Sequence, residues 1–523
     1  MIERLTKPAE VEEAARRIAE TLAAHAEWLY AEGASRRASS LRRSECDVRA
    51  AQGRLIFSCW SDEGARVWRV KGWEWTGEKL LLEATRAAGA ESVLLELIPR
   101  AAASAVVEIV SASRRLRAEQ LARLACAQLP GARVERVGLS SGARRGQPGR
   151  YARIMLTHRN RRIAVTGLIA AAAHDETEAF LSSALLWFTR ARQQRRGPLV
   201  EQLWLVVHQE LAQPVARQLA LLRDDLCRAL KLFSIDEQQK TMTPLRSLDR
   251  AELWDESLPR FRPPALESDL SDWAKRLLAL APEAVDVVRA RHGETLRFHG
   301  LAFARVRRLL NQERAWLGID GARRRLLDAS NWHECVELLE QLRQHRDALA
   351  ADHRHAFYKA APEAWLESML RRDITQLDPG LRIAPLHAQF RAARTNNPAT
   401  PNSAATRPVD LLALRHDGRL VVIELKVAED REHVLQGTDY YRRVEAHRRR
   451  GHLAHAKLFG DAHIADSPPL VYLVAPLLRF HRAFNQLALS IAPDIELYRF
   501  DLNEDWRAGI RVVRRARVNY QTP

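Results

Sequence analysis

The sequence predicts a multidomain α/β protein: a sheet-rich N-terminal domain, α/β and helical middle regions, and a last α/β domain over the final third. Three observations carry that prediction. The chain has 523 residues, room for several domains of ordinary size. Its pattern changes along its length, from short alternating strands to α/β and then helical periodicity. Near the end, Pro408–Val427 reads as two apolar strands around a tight turn, with Asp410, Glu424 and Lys426 where apolar residues should stand. Strands of that kind do not carry charges without a reason.

In chain order, residues 8–31 have the periodicity of an amphipathic helix. Strands are expected at Arg54–Trp60, Val67–Trp75, Lys79–Ala84, Ser92–Ile98 and Ala105–Val110, giving a sheet-rich domain over 1–113. Trp60, Trp68, Trp73 and Trp75 stand there among Arg66, Arg69 and Lys71. Such residues can stack on unpaired bases, or the tryptophans can be one face of a sheet packed into its own core. Residues 114–240 read as an α/β domain. It has a helix at 115–128, a loop at 138–150, and a hairpin of Tyr151–Leu156 and Arg162–Leu168. A helix at Asp175–Gln194, a strand at Leu203–Val207 and a long helix at Pro214–Leu232 follow. Gly138-Leu-Ser140-Ser-Gly142 matches a hydrolase pattern that needs a helix straight after the serine. The Gly- and Pro-rich text that follows does not form one, so a serine nucleophile is rejected. Residues 241–354 read as a Pro-rich linker and a mostly helical region, with short strands at Thr295–Val306 and Trp316–Ile319. Arg305 and Arg308, in a basic run, are candidates to face phosphates.

The final domain is expected over 355–523. Pro362 suits the first turn of a helix, and Glu363 and Glu367 share one of its faces. Leu381–Gln389 is an expected strand, and Ala392–Arg407 an expected loop beside the site. A helix from about Asp430 to His447 puts Gln436, Tyr440 and Arg443 on one face. Pro469–Ala475, Ile495–Asp501 and Ile510–Val513 are further strands. His447, His452 and His455 read as surface histidines rather than a zinc site, because Gly451 breaks any helix between them.

The hairpin geometry follows from its turn. A three-residue loop, His416-Asp417-Gly418, with Gly418 left-handed, pairs Arg415 with Arg419. Counting outward, Asp410 then lies opposite Glu424. Alternation puts Lys426 on the same face and Leu425 on the other. A two-residue turn would slip the register and turn Asp410 away. Two carboxylates and a lysine on one face suit a hard cation, with the backbone carbonyl of Leu425 as a further oxygen. The plainer reading is a half-buried salt bridge. Against it, this is the only Glu-x-Lys in the chain, and lysine is scarce: nine against seventy-three arginines.

These residues resemble the PD-(D/E)xK nuclease superfamily, closest to its RecB-like and NucS-like group. Asp410, Glu424 and Lys426 fall on that family's Asp…Glu-x-Lys. Gln436-Gly-Thr-Asp-Tyr440 falls on its Gln-xxx-Tyr, and Glu367, with Glu363 one turn earlier, on its helix glutamate. The resemblance covers the last third of the chain. It implies a restriction-endonuclease-like α/β/α domain with a mixed sheet that hydrolyses phosphodiester bonds with Mg²⁺ or Mn²⁺. In that scheme Asp410, Glu424, Glu367 and the Leu425 carbonyl hold metal, Lys426 orients water, and Gln436 and Tyr440 brace the lysine or a phosphate. The order of elements over 114–240 repeats that of the nuclease unit without its acids. It is either a degenerate copy or a generic α/β unit.

The net charge of +17 points to a polyanionic partner, and beside the hairpin it points to nucleic acid, with Arg443 added to the basic candidates; the nuclease resemblance makes DNA the expected substrate. A GC-rich genome would write arginine just as freely. No apolar run is long enough to span a membrane and no secretory leader is seen, so a cytoplasmic protein is expected, with a homodimer left open. The expectation is therefore a metal-dependent nuclease of DNA repair or defence. The alternative is a non-catalytic nucleic-acid-binding protein that keeps the fold.

Overall fold

The computed structural model describes all residues except 1–2, 5–7, 33–34, 62–63, 87–91, 142–147, 170–176, 195–197, 237–239, 255–268, 291–292, 310–311, 320–323, 384–408 and 521–523. It is a multidomain α/β protein with several sheets, some mixed, and a sheet-rich N-terminal half. Contacts divide the chain into two compact units. One holds Met1–Ala173 with two short segments, the other His174–Asp236, Thr243–Asp320 and Arg324–Pro523. Among the described residues no helix is long and apolar enough to cross a membrane.

The first unit carries an eight-stranded antiparallel sheet. Its main path runs Ser35–Arg42, Glu27–Glu32, Ser92–Pro99, Leu80–Arg86, Gly64–Trp75, Arg54–Ser61, Cys46–Ala51. The helix expected over 8–31 ends at Ala23. The Trp28 indole donates to the carbonyls of Leu22 and His25, each at 3.1 Å, which caps the helix end and starts a strand. Trp68 and Trp73 are buried and Trp75 packs against them; Trp68 stacks on Phe57 with ring centres 5.7 Å apart. Those tryptophans build the sheet's own core rather than an open platform for bases.

Ala105–Val110 is not a strand but part of a helix, Ala103–Ala127, so the boundary expected at 113 falls inside it. A short apolar run fits both periods, and here it continues unbroken into an amphipathic segment. Ser140 lies on a strand, Arg133–Ser141, and its Oγ accepts from the Tyr151 amide, so no nucleophile elbow forms. The expected hairpin is present as Pro148–His158 and Arg161–Leu168.

In the second unit the long helix expected at Pro214–Leu232 is replaced by helices Gln209–Leu219 and Asp224–Cys227 and a strand, Leu230–Asp236, parallel to Val200–His208. The alternation of Leu230-Lys231-Leu232 is decided by that pairing. The region over 241–354 is not mostly helical. It forms a five-stranded antiparallel sheet, Val285–Ala290, Gly293–Phe298, Leu301–Leu309, Gln312–Leu317 and Arg325–Leu327, flanked by helices Asp272–Leu280 and Trp332–His345.

The last domain is a six-stranded mixed sheet in the order Leu381–Ile383, Leu411–Arg415, Leu420–Leu425, Leu470–Pro476, Leu497–Leu502, Val512–Arg517. The three middle strands are parallel and the outer pairings antiparallel. Helices cover both faces. Helix Pro362–Arg372 packs Trp365, Leu366 and Leu370 against Leu411, Ala413, Val421, Ile423 and Leu425. Helix His433–Arg449 packs Tyr440 and Val444 against Leu412, Leu414, Leu420 and Val422. Period-two alternation thus sorts each strand between two apolar layers, and each buried aliphatic side chain contributes about 1.5–3 kcal/mol. The loop expected at Ala392–Arg407 lies outside the described residues.

Candidate active site

The turn has the expected form. The Arg415 amide donates to the Arg419 carbonyl at 2.8 Å, and Gly418 sits at φ +81°. A Cβ there would lie 2.9 Å from the His463 carbonyl oxygen, so glycine is needed for its conformation and for the close approach. Leu411 pairs with Ile423, which puts Asp410 opposite Glu424 as counted. The Asp410 carboxylate accepts from the Leu425 amide at 2.8 Å, across the strand pair. Leu425 points to the other face, into the core against Trp365.

Asp410, Glu424 and Lys426 therefore converge. The Lys426 ammonium donates to one Glu424 oxygen at 2.7 Å and lies 3.8 Å from Asp430. The other Glu424 oxygen, Oε2, is buried with no hydrogen-bond partner, and so is Gln436 Oε1. Burial, then repulsion by Glu424, holds the Asp410 carboxyl well above its usual range, against the pull of Lys426 and the Leu425 amide. Burial also raises Glu424. Burial alone would lower Lys426, but Glu424, Glu363 and Asp410 outweigh it and leave the ammonium firmly protonated. Lys426 is thus a donor and not a base. Two crowded carboxylates, both raised by burial, with an unpartnered Glu424 oxygen are donors of the kind a divalent cation takes.

Helix His433–Arg449 closes this face. Gly437 lets it approach: a Cβ would meet Leu473 Cδ2 at 2.5 Å and Glu424 Cβ at 3.8 Å. His433 is buried with Nε2 3.2 Å from the Glu424 carbonyl oxygen. Burial, Lys426 and Arg499 push its pKa down to about 3, so the neutral ring donates there and fixes the Glu424 backbone. Gln436 is buried on this helix, with its amide nitrogen 3.5 Å from a Glu432 oxygen. Tyr440 is packed in the core, its phenol raised by burial and by Glu424 and Asp410.

The remaining expected residues are placed differently. The helix carrying Glu363 and Glu367 packs on the face opposite Asp410 and Glu424, so its acids reach the pair only around the strand ends. Glu367 is buried and held by Arg371 at 2.7 Å and Arg297 at 3.4 Å. Among the described residues no group of three or more His, Cys, Asp or Glu side chains is gathered closely enough to hold a metal. It is Glu363 whose charge is felt by Glu424 and Lys426. Arg443 points inward and pairs with Asp439 at 2.5 Å. Arg305 is half-buried on a strand of the five-stranded sheet, and the Arg308 side chain is outside the described residues. His447 is buried rather than exposed. Gly451, at φ +66°, turns the chain so that His452 Nδ1 lies 3.0 Å from His447 Nδ1.

Sequence reasoning missed His433, Gly437, Arg371 and Arg297. Only Gly437 carried a signal, since a glycine inside a helix costs about 1 kcal/mol and asks for a packing reason.

No protein-family model matches the sequence, and no curated protein matches it. Among solved structures, an XisH family protein from Nostoc punctiforme PCC 73102 is similar to part of the chain. Identity is 15%, the TM-score is 0.17, and the match covers 25% of this chain and 99% of that one. A likeness at that score carries no argument about fold or function.

Proposed function

We propose that the C-terminal domain is a divalent-metal-dependent nuclease of restriction-endonuclease-like fold that hydrolyses phosphodiester bonds in nucleic acid, DNA above all. One observation carries this reading: Asp410, Glu424 and Lys426 share one face of the strand pair, where one Glu424 oxygen is buried with no hydrogen-bond partner. Asp410 and Glu424 would hold Mg²⁺ or Mn²⁺, with the Leu425 carbonyl as a further oxygen. When bound, the ion supplies Lewis-acid stabilisation of the charge that builds on a phosphate oxygen and acidifies water beside it. Lys426 donates a hydrogen bond to the attacking water and to that charge. Its raised pKa leaves it unable to take the proton. Gln436, whose buried amide oxygen has no hydrogen-bond partner, and Tyr440 would brace the lysine or a phosphate, and the Glu363 charge acts on Glu424 and Lys426.

The second reading, a nucleic-acid-binding domain without catalysis, is favoured by the closed Lys426–Glu424 pair and by Glu367 being fully engaged with arginines. Cleavage of single-stranded, duplex and branched DNA and of RNA with Mg²⁺ and Mn²⁺ separates the two. Asp410→Ala and Glu424→Ala should each abolish metal-dependent cleavage while the protein stays folded. Normal cleavage by either, at matched folded fraction and metal concentration, would overturn the site assignment.

A further inference from the structure

The five-stranded sheet reaches the site. Asp286 and Arg297 are direct partners on adjacent strands and so share a face. That face meets helix Pro362–Arg372. Asp286 accepts from Arg372 Nε at 3.0 Å and from the Ser368 hydroxyl, and Arg297 meets Glu367. At the corner the His299-Gly300 turn is pressed on the helix's first turn, where a Cβ on Gly300 would lie 1.9 Å from the Ala364 carbonyl oxygen.

Two buried arginines on this junction differ in kind. Arg346 donates to the carbonyls of Phe298, His299, Phe357, Ala360 and Ala361 at 2.6–3.3 Å and stacks over Trp365 at 4.6 Å. It is a saturated structural tie. Arg297, its side chain 10% exposed, makes one long contact to Glu367, 3.4 Å, and its Nε is buried with no hydrogen-bond partner. A buried donor left unmet costs about 1–3 kcal/mol and calls for a partner. Opposite it, Arg371 donates from Nε to the other Glu367 oxygen at 2.7 Å and from Nη2 to the Asp410 carbonyl at 3.0 Å. The Glu367 carboxylate thus sits between two guanidiniums, one oxygen on each, and Arg371 ties it to the Asp410 backbone. Two oxygens of a phosphate present the same spacing and charge to such a pair.

We propose that Arg297 and Arg371 form a seat for a backbone phosphate of the nucleic acid, and that Glu367 is its resident occupant, displaced when the strand enters. The identity of the anion rests on the nuclease reading; the seat itself rests on the two arginines. The five-stranded sheet is then part of the substrate site, and Arg297 is its contribution.

The test is binding without metal. A short fluorescein-labelled single-stranded oligodeoxynucleotide is titrated with the full chain in EDTA and followed by anisotropy. Glu367→Gln should bind about tenfold tighter than wild type, the net worth of about one charge-assisted contact. Adding Arg297→Ala should remove that gain. Arg297→Lys, which keeps the charge and the tie to the helix, should remove most of it and covers the case in which the alanine variant does not fold. Asp373→Asn, which deletes a negative charge at the end of the same helix, should change affinity less than about twofold. An equal gain from Asp373→Asn, a gain that survives both Arg297 substitutions, or no binding by any variant overturns the seat. Failure of the nuclease reading would appear elsewhere, as no metal-dependent cleavage of any DNA or RNA by the wild-type chain.

Discussion

Lys426 is the residue on which catalysis and mere pairing diverge. In a chain with nine lysines among eighty-two basic residues, an arginine would satisfy Glu424 as well if pairing were all that mattered. The guanidinium is longer and planar, and it presents a fork instead of a point charge. If Lys426 is a compact donor to water, Lys426→Arg should displace that water or the metal. The loss should be about a hundredfold, since a misplacement of about an ångström can cost that much. Single-turnover cleavage at saturating Mg²⁺ decides it, and activity within a few-fold of wild type would reduce Lys426 to a salt-bridge partner. At this scale the hairpin was legible because its register is arithmetic: a left-handed Gly418 and period two place Asp410, Glu424 and Lys426 without any long-range information. Glu367 was not, because its partner Arg297 lies seventy residues away on another sheet, and no local pattern announces such a contact.

Helix His433–Arg449 is the element that turns a charged hairpin into a closed site, and Gly437 sets how near it comes. Gly437→Ala puts a Cβ 2.5 Å from Leu473 Cδ2 and 3.2 Å from Val471 Cγ1. Overpacking of that kind costs about 1–3 kcal/mol, against about 1 kcal/mol gained in helix propensity. The variant should unfold at a lower temperature and cleave more slowly, because the helix lifts from Glu424; an unchanged melting temperature would mean the sheet yields freely. The same helix meets helix Thr177–Arg192 through buried acids. Glu178 accepts from Gln218 at 2.7 Å, and burial, then Asp439, raises its pKa from 4.5 to about 7. A carboxyl raised on folding stabilises most below its unfolded value, and that contribution is lost as pH rises through its folded value. Glu178→Gln should therefore match wild type near pH 4.5 and become the more stable protein above pH about 7, read by thermal unfolding at several pH values. A constant difference across that range would place Glu178 in contact with water. These helix contacts lay beyond sequence reasoning for a physical reason. Amphipathic periodicity shows that a helix buries a face but not what lies against it. For the same reason short apolar runs such as Ala105–Val110 and Leu230–Leu232 were assigned the wrong period.

For the whole molecule, the net charge of +17 overstates the surface that can meet a polyanion. Arg346 is buried among carbonyls, Arg442 and Arg443 are folded onto Asp439, and Arg448 and Arg449 pair with the fully buried Glu445. Some of the arginine that a sequence reads as a footprint is internal scaffolding, and composition alone does not tell the two apart. The part that remains outside still predicts binding driven by release of counterions. With even about three phosphate contacts, affinity should fall about fortyfold between about 50 and 200 mM salt. Asp410→Ala is the protein to measure, because it removes cleavage while leaving the basic surface intact. Its affinity for single-stranded and duplex DNA and for RNA across that salt range gives the number of contacts from the slope. Retained binding with a steep slope is the expected result. An affinity flat in salt, or none for any nucleic acid, would count against the nuclease and against the non-catalytic binder alike, and would leave the acid pair acting on some smaller phosphate ester.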